Sequence, residues 1–148
     1  MDELAVKQHS LDDKIDSVVA AFYKKAASDF ILAYQFKKIA QTDFVGHPLK
    51  TPIEAFKNHL PRINLFWKNQ LLATPLPAGT KSFDLIKIHK ALSIRRGEVG
   101  RWLILFKETL DEVLEEDQEW EKNLKKDWLE KLATFESAFL KSNILFSQ

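Results

Sequence analysis

The spacing of apolar residues constrains the fold of this chain more than any other feature. Apolar side chains recur at three- and four-residue intervals along nearly the whole length, which is the period of an amphipathic α-helix. The first clear stripe consists of Leu11, Ile15, Val18, Phe22 and Ala26, and the last of Leu124, Trp128, Leu132, Phe135 and Phe139. No segment shows the strict alternation that is typical of a half-buried strand. The sequence therefore predicts an all-α fold.

The stripes and the turn residues between them divide the chain into about six helices of unequal length. In chain order, the first helix begins at Ser10, the second covers 30–39 and the third begins at Thr51. The fourth covers 82–92, the fifth follows Gly97 and the sixth follows Asp117. Segments 42–50 and 74–81 contain Pro and Gly and are predicted loops. A regular four-helix bundle would have helices of more equal length, so it is the less favoured architecture.

Several positions specify local detail within these helices. Ser10 and the two residues Asp12-Asp13 resemble a capping box, which predicts a helix start there. Pro61 lies inside the helix that begins at Thr51, and we expect a kink just after His59. Gly100 is interpreted as a close-packing position, and the two last helices are expected to pack as an antiparallel pair.

Length and composition indicate a single folded domain. The chain has 148 residues, of which 45% are hydrophobic and 29% charged. This size can bury a core without disulfides or metals. We expect one domain over 1–148, with 1–10 as a frayed N-terminal extension.

Charge and residue usage exclude several classes of function. A net charge of +1 with dispersed basic residues is not typical of a nucleic-acid-binding protein. The absence of Cys excludes disulfides, iron–sulfur clusters and cysteine nucleophiles. No apolar run approaches the roughly 18 residues of a membrane span, and no signal peptide is visible. We therefore expect a cytoplasmic protein with neither a nucleic-acid nor a membrane partner.

Two of the four histidines stand out. His9 and His47 fall in a terminus and a loop and are expected to be surface residues, whereas His59 and His89 each fall on the apolar stripe of a helix. An imidazole on an apolar face is desolvated and needs a partner. Each could be a hydrogen-bonded core histidine, but two such residues on two helices favour ligand binding. The sequence alone leaves both interpretations open.

Other chemistries find little support in the sequence. No His-x-x-x-His or Glu-x-x-His pair offers metal ligands at helical spacing. The four glycines form no phosphate-binding loop. Acidic pairs fall at helix ends or on polar faces, where helix dipoles and solvent account for them.

Five segments in a common order resemble the third group of truncated haemoglobins, over about residues 15–113. The matching segments are Phe22-Tyr23-Lys24-Lys25, Ala33-Tyr34-Gln35-Phe36, the His-x7-Trp from His59 to Trp67, His89-Lys90-Ala91-Leu92, and the stretch from Arg101-Trp102 to Leu110. The resemblance implies a truncated globin-like fold, with the helices arranged around a haem pocket.

The resemblance also implies a cofactor and roles for individual residues. It implies haem b with His89 as the proximal iron ligand, and a distal side formed by Tyr23, His59 and Trp102. The apolar walls of the pocket would be Phe36, Phe56, Ile63, Leu85, Leu92 and Phe106. Taken alone, Tyr23 would be an ordinary half-buried tyrosine and Trp102 an ordinary core aromatic residue.

The implied function is reversible binding of a diatomic gas, oxygen or nitric oxide, at a five-coordinate haem. An oxidoreductase activity on nitric oxide or peroxide is left open, and it would need an electron donor that the sequence does not identify. The alternative is a haem-free globin-like domain for protein interaction or sensing, in which an exposed Trp120 would mark the partner surface.

Overall fold

The described part of the chain is helical, as the apolar spacing predicts. A computed structural model describes residues 3–36, 59–77 and 95–141, with side chains from Ser10 onward. These ranges form four α-helices and a short helical turn over 33–36. The helices are α1 (Glu3–Ser28), α2 (Leu60–Leu72), α3 (Arg96–Val113) and α4 (Glu119–Lys141). Their lengths of 26, 13, 18 and 23 residues are unequal, as predicted.

Helix α1 begins earlier than the capping signal at Ser10 predicts. Its first residue is Glu3, so Ser10 lies inside the helix and the predicted start is wrong. Ser and Asp lower helix propensity by only a few tenths of a kcal/mol relative to good helix formers, about 0.5 at most. The preceding Glu3, Leu4 and Ala5 favour helix strongly enough to extend α1 through them. Residues 3–10 are therefore helical.

Pro61 lies in the first turn of α2, and His59 is the N-cap residue. The first N–H groups of a helix have no intrahelical acceptor, so proline loses nothing there. The predicted start at Thr51, and with it the helix in which a kink after His59 is expected, lies outside the described residues.

The C-terminus of α2 is closed by a left-handed residue. Ala73 has φ 55°, and its N–H donates to the Asn69 carbonyl at 3.1 Å. The Thr74 N–H donates to the Lys68 carbonyl at 3.4 Å, and the Asn69 side chain donates to the Thr74 carbonyl at 3.0 Å. These bonds satisfy the last carbonyls of the helix. Residues 73–77 then form the predicted loop.

Helices α3 and α4 pack antiparallel, which confirms the prediction. Asp111 pairs with Lys125 close to the connection between them, at 2.6 Å. Further away, Leu103 lines a shallow hollow together with Ala133 and Glu136. Residue numbers thus rise along one helix as they fall along the other. The predicted boundary at 115–117 is also confirmed, since these residues are non-helical.

The core lies where α3 packs against α1. Phe22 and Phe106 are fully buried at its centre. Lys14 donates to the Val113 carbonyl at 3.3 Å at one end of the helix pair. These two helices also run antiparallel, because α1 residues with higher numbers meet α3 residues with lower numbers. On α4 the predicted stripe is largely buried, with Phe135 half-buried, and it consists of Leu124, Trp128, Leu132, Phe135 and Phe139.

No described residue packs closely on Gly100. A Cβ atom built on it would meet no described atom within 4 Å, and the same holds for Gly97. Both glycines lie within α3. Among the described helices, none has the length and apolar character of a membrane-crossing segment.

Candidate functional site

An aromatic cluster connects α1 to α3 at the position where the resemblance places a ligand pocket. The Phe22 and Phe106 rings have centroids 4.4 Å apart. Trp102 meets Phe22 edge-on at 5.8 Å and lies 5.3 Å from Phe106. Aromatic rings at these separations stabilise one another beyond the burial of their area. Trp102 and Phe106, both predicted site residues, are therefore held in one contact group.

Tyr23 and Phe36 extend this group on the α1 side. Tyr23 meets Phe22 edge-on at 4.8 Å and Phe36 at 6.1 Å. We call Phe22, Tyr23, Phe36, Trp102 and Phe106 the aromatic cluster. Four of its five members are residues that the resemblance assigns to the haem pocket. The structure brings these four together from three separate segments of the chain.

Burial within the aromatic cluster is graded. Phe22 and Phe106 are fully buried, whereas Tyr23 and Trp102 are half-buried. The two residues that carry a hydrogen-bond donor thus lie at the border of the core. Burial raises the pKa of the Tyr23 hydroxyl well above its ordinary value. A tyrosine hydroxyl is protonated at neutral pH and can donate, and the raised pKa extends this to more alkaline pH.

A buried aspartate fixes the turn that carries Phe36. Both Nε and Nη2 of Arg101 donate to Asp29 Oδ1, at 2.9 and 2.7 Å. The other carboxylate oxygen accepts the N–H groups of Ile31 and Leu32 at 3.0 and 3.2 Å. The Arg101 hydrogen bond, followed by these backbone bonds, holds the pKa of Asp29 below its usual value, against the opposing effect of burial. Asp29 thereby joins the turn after α1 to α3.

A second buried contact lies beside the first. Gln35 donates through Nε2 to Glu98 Oε2 at 2.8 Å, and both side chains are buried. The other oxygen of Glu98 accepts the Arg95 N–H at 3.1 Å. Gln35 immediately precedes Phe36, and Glu98 lies one turn before Trp102. The pair therefore fixes two members of the aromatic cluster through their chain neighbours.

Sequence reasoning missed these polar contacts. Asp29, Gln35 and Glu98 lie outside the apolar stripes, and nothing in their spacing pairs them across the fold. Arg101 was noticed only as part of a motif that centres on Trp102. The one usable signal was the position of Asp29 directly after α1, where Asp often caps a following turn.

Helix α2 approaches the aromatic cluster through Trp67. The Trp67 ring lies 5.5 Å from Phe106. His59, Ile63 and Trp67 are spaced four residues apart and share one helix face. Ile63 packs against the core. His59, at the N-cap, is two turns or about 12 Å along the helix from Trp67. Helix α2 thus carries Ile63 to the core and places His59 two turns from Trp67.

The remaining predicted site residues lie outside the described residues. They are His89, Phe56, Leu85 and Leu92. Within the described ranges, no three His, Asp or Glu side chains are grouped so that they could hold a metal ion. The haem-free alternative expects Trp120 to be exposed, but this residue is half-buried.

Comparison with known proteins gives no match: no family model, no curated protein and no solved structure is similar to this chain.

Proposed function

We propose that the chain is a haem protein that reversibly binds a diatomic gas, with His89 as the proximal ligand. The observation that carries the proposal is the grouping of Tyr23, Phe36, Trp102 and Phe106 in one aromatic cluster. The resemblance assigns each of these residues to the pocket from its motif in the sequence. A truncated globin-like fold is part of the same proposal.

The side-chain types in the aromatic cluster support the proposal, because they are those that line a haem pocket. A porphyrin needs flat apolar walls that exclude water, and Phe36 and Phe106 are both buried. Ile63 adds a half-buried aliphatic side chain from α2. The proposed pocket also includes walls from Phe56, Leu85 and Leu92. Haem, when bound through His89, supplies an iron with an open coordination position for the gas.

The distal side would be formed by Tyr23, Trp102 and His59. The Tyr23 O–H and the Trp102 Nε1–H can donate to a gas molecule that acquires partial negative charge. A hydrogen bond to a charged or strongly polarised acceptor contributes about 1.5–3 kcal/mol, or one to two decades in a dissociation constant.

Titration with haemin tests the proposal. We expect a saturable Soret band with an end point of one haem per chain. Phe36→Ala should weaken haem affinity by about ten-fold or more, from the loss of a buried aromatic wall. Phe135→Ala is the matched control, because Phe135 packs on Phe66 and Trp67 and not on the aromatic cluster.

Circular dichroism establishes that both variants fold before haemin is added. A wild-type chain that folds but takes up no haemin in a saturable manner contradicts the proposal. Equal losses in the two variants would show that Phe36 acts through general stability and not as a wall of the pocket.

A further inference from the structure

The turn that follows α1 displays apolar side chains to solvent. Phe30 is 99% exposed, so its ring contacts almost nothing among the described residues. Ile31 is 45% and Tyr34 40% exposed. We call Phe30, Ile31 and Tyr34 the apolar tip. The Phe30 ring contributes little to folding, and an exposed apolar patch of this kind marks an interaction site.

The backbone of the apolar tip is held in place. Asp29 accepts the N–H groups of Ile31 and Leu32, and the Ala33 N–H donates to the Asp29 carbonyl at 2.9 Å. Arg101 anchors Asp29 to α3. Phe30 therefore projects from an ordered turn, and it would lose little backbone freedom on binding.

Positive charge borders the apolar tip. The Arg95 guanidinium lies 5.9 Å from the centre of the Tyr34 ring. Arg96 and Lys24 are exposed at the same end of the antiparallel pair formed by α1 and α3.

Nearby acidic groups in the described ranges are fewer than the basic ones. Asp29 is paired with Arg101, so Glu98, buried against Gln35, is one acidic side chain beside the three basic side chains of Arg95, Arg96 and Lys24. Glu108, which is exposed, lies nearly three turns beyond Glu98 along α3. The apolar tip therefore has a basic border.

We propose that the apolar tip attaches this protein to the surface of a membrane that contains anionic lipids. Phe30 and Ile31 enter the interfacial region, and Arg95 and Arg96 face the lipid phosphates. An aromatic side chain buries at most about 250 Å², so these three residues fall short of the roughly 800 Å² that each partner contributes to a stable protein interface. A few inserted side chains with basic neighbours suffice for reversible binding to a bilayer surface.

This mode of attachment is independent of the proposed haem site. It is also distinct from crossing a bilayer, which no described helix can do. We expect no membrane partner from the sequence because it contains no membrane span, but a protein needs no span to attach to the surface of a bilayer.

Co-sedimentation with lipid vesicles tests the proposal on the full chain. We expect binding to phosphatidylcholine vesicles that contain about one third phosphatidylserine, and little binding to phosphatidylcholine alone. Raising the salt concentration from about 0.1 to 1 M should weaken binding, because it screens the basic border. Phe30→Ser should lower the partition coefficient about ten-fold. Arg95→Glu with Arg96→Glu should do so by at least as much.

Two control variants separate the apolar tip from general surface properties. Ile104→Ser removes an apolar side chain that is 52% exposed on α3, about 12 Å along the helix from its start. Lys122→Glu with Lys126→Glu reverses two exposed charges near the start of α4. Both controls should bind within about two-fold of the wild type.

Three results would overturn the proposal. The first is a wild-type chain that fails to sediment with the phosphatidylserine vesicles, and the second is a loss of binding in the control variants as large as that in the tip variants. The third is self-association in analytical ultracentrifugation that Phe30→Ser abolishes, without vesicle binding, since this would make the apolar tip an interface between copies of the chain.

Discussion

Replacing Asp29 by Asn should destabilise the fold far more than replacing an exposed aspartate. The Asp29 side chain is 6% exposed and accepts two hydrogen bonds from Arg101 and two from backbone N–H groups. Asn is nearly isosteric, but it carries no charge and offers one acceptor oxygen instead of two. The substitution therefore weakens the two hydrogen bonds to the oxygen that remains and removes the two hydrogen bonds to the oxygen that is lost.

The expected loss in the free energy of unfolding is about 2–3 kcal/mol. A hydrogen bond to a charged group contributes about 1.5–3 kcal/mol, and a neutral one about 1 kcal/mol. Breaking a fully buried ion pair costs about 3–5 kcal/mol. The Arg101 side chain is 35% exposed, so water can partly solvate it once its partner is lost. Because of this exposure, the expected loss lies below the roughly 3–5 kcal/mol of a fully buried ion pair.

Asp111→Asn is the matched control. The Asp111 side chain is 67% exposed and pairs with Lys125 at 2.6 Å. Exposed pairs contribute about 1 kcal/mol at most, because solvent screens them. Urea unfolding followed by circular dichroism at pH 7 measures both variants on the same scale.

The pH dependence gives a second test of the same contact. The pKa of Asp29 is lowered in the folded state. Its contribution to stability is therefore present above the ordinary aspartate pKa of about 3.9 and is lost as the pH falls through the lower folded value. The difference between wild type and Asp29→Asn should be constant from about pH 5 to 7 and shrink below about pH 4. A loss at pH 7 no larger than that of Asp111→Asn would refute this reasoning.

One further prediction concerns Gly100 in α3, and two concern Tyr23 in the aromatic cluster. Gly100→Ala should raise the free energy of unfolding by about 0.5–1 kcal/mol in urea unfolding, because the added methyl group meets no described atom and favours helix, and a loss of stability would contradict this. Subtracting the absorbance of Tyr23→Phe at 295 nm from that of the wild type isolates the signal of Tyr23, and this signal should show no ionisation near pH 10. Because the folded pKa of Tyr23 is raised, its contribution to stability is present below about pH 10 and falls as the pH rises further. In the haem-loaded protein, Tyr23→Phe should speed oxygen dissociation by about ten-fold or more in stopped-flow measurements, and an unchanged rate would remove Tyr23 from the distal side.

The spacing of apolar residues predicts most of the described helices, because a stripe at the helical period forms one face that can be buried. Helix α4 shows this best, since its predicted stripe, including Trp128 and Leu132, is the face that is buried. Boundaries were less predictable. A capping signal at Ser10 competes with good helix formers before it, and Pro61 fits both a kink and a first turn. Local sequence does not decide either case, because the difference in free energy is small.

The aromatic members of the candidate site were predictable, and the contacts that fix them were not. Tyr23, Phe36 and Trp102 belong to segments that resemble a known order of motifs. The bond between Asp29 and Arg101 joins residues 72 positions apart, and neither lies on an apolar stripe. Such pairs arise from how α1 and α3 pack, which the period of either helix does not specify.

The carbon monoxide spectrum of the reduced, haemin-reconstituted protein tests the central claim most directly. The account predicts a Soret band that shifts when carbon monoxide is added to the wild type. It also predicts that His89→Ala abolishes the band or leaves only loosely held haem, while His47→Ala, which changes a histidine expected at the surface, behaves as the wild type does. A folded wild-type chain without a shifting Soret band, or a His89→Ala variant with the same band and shift as the wild type, would contradict it.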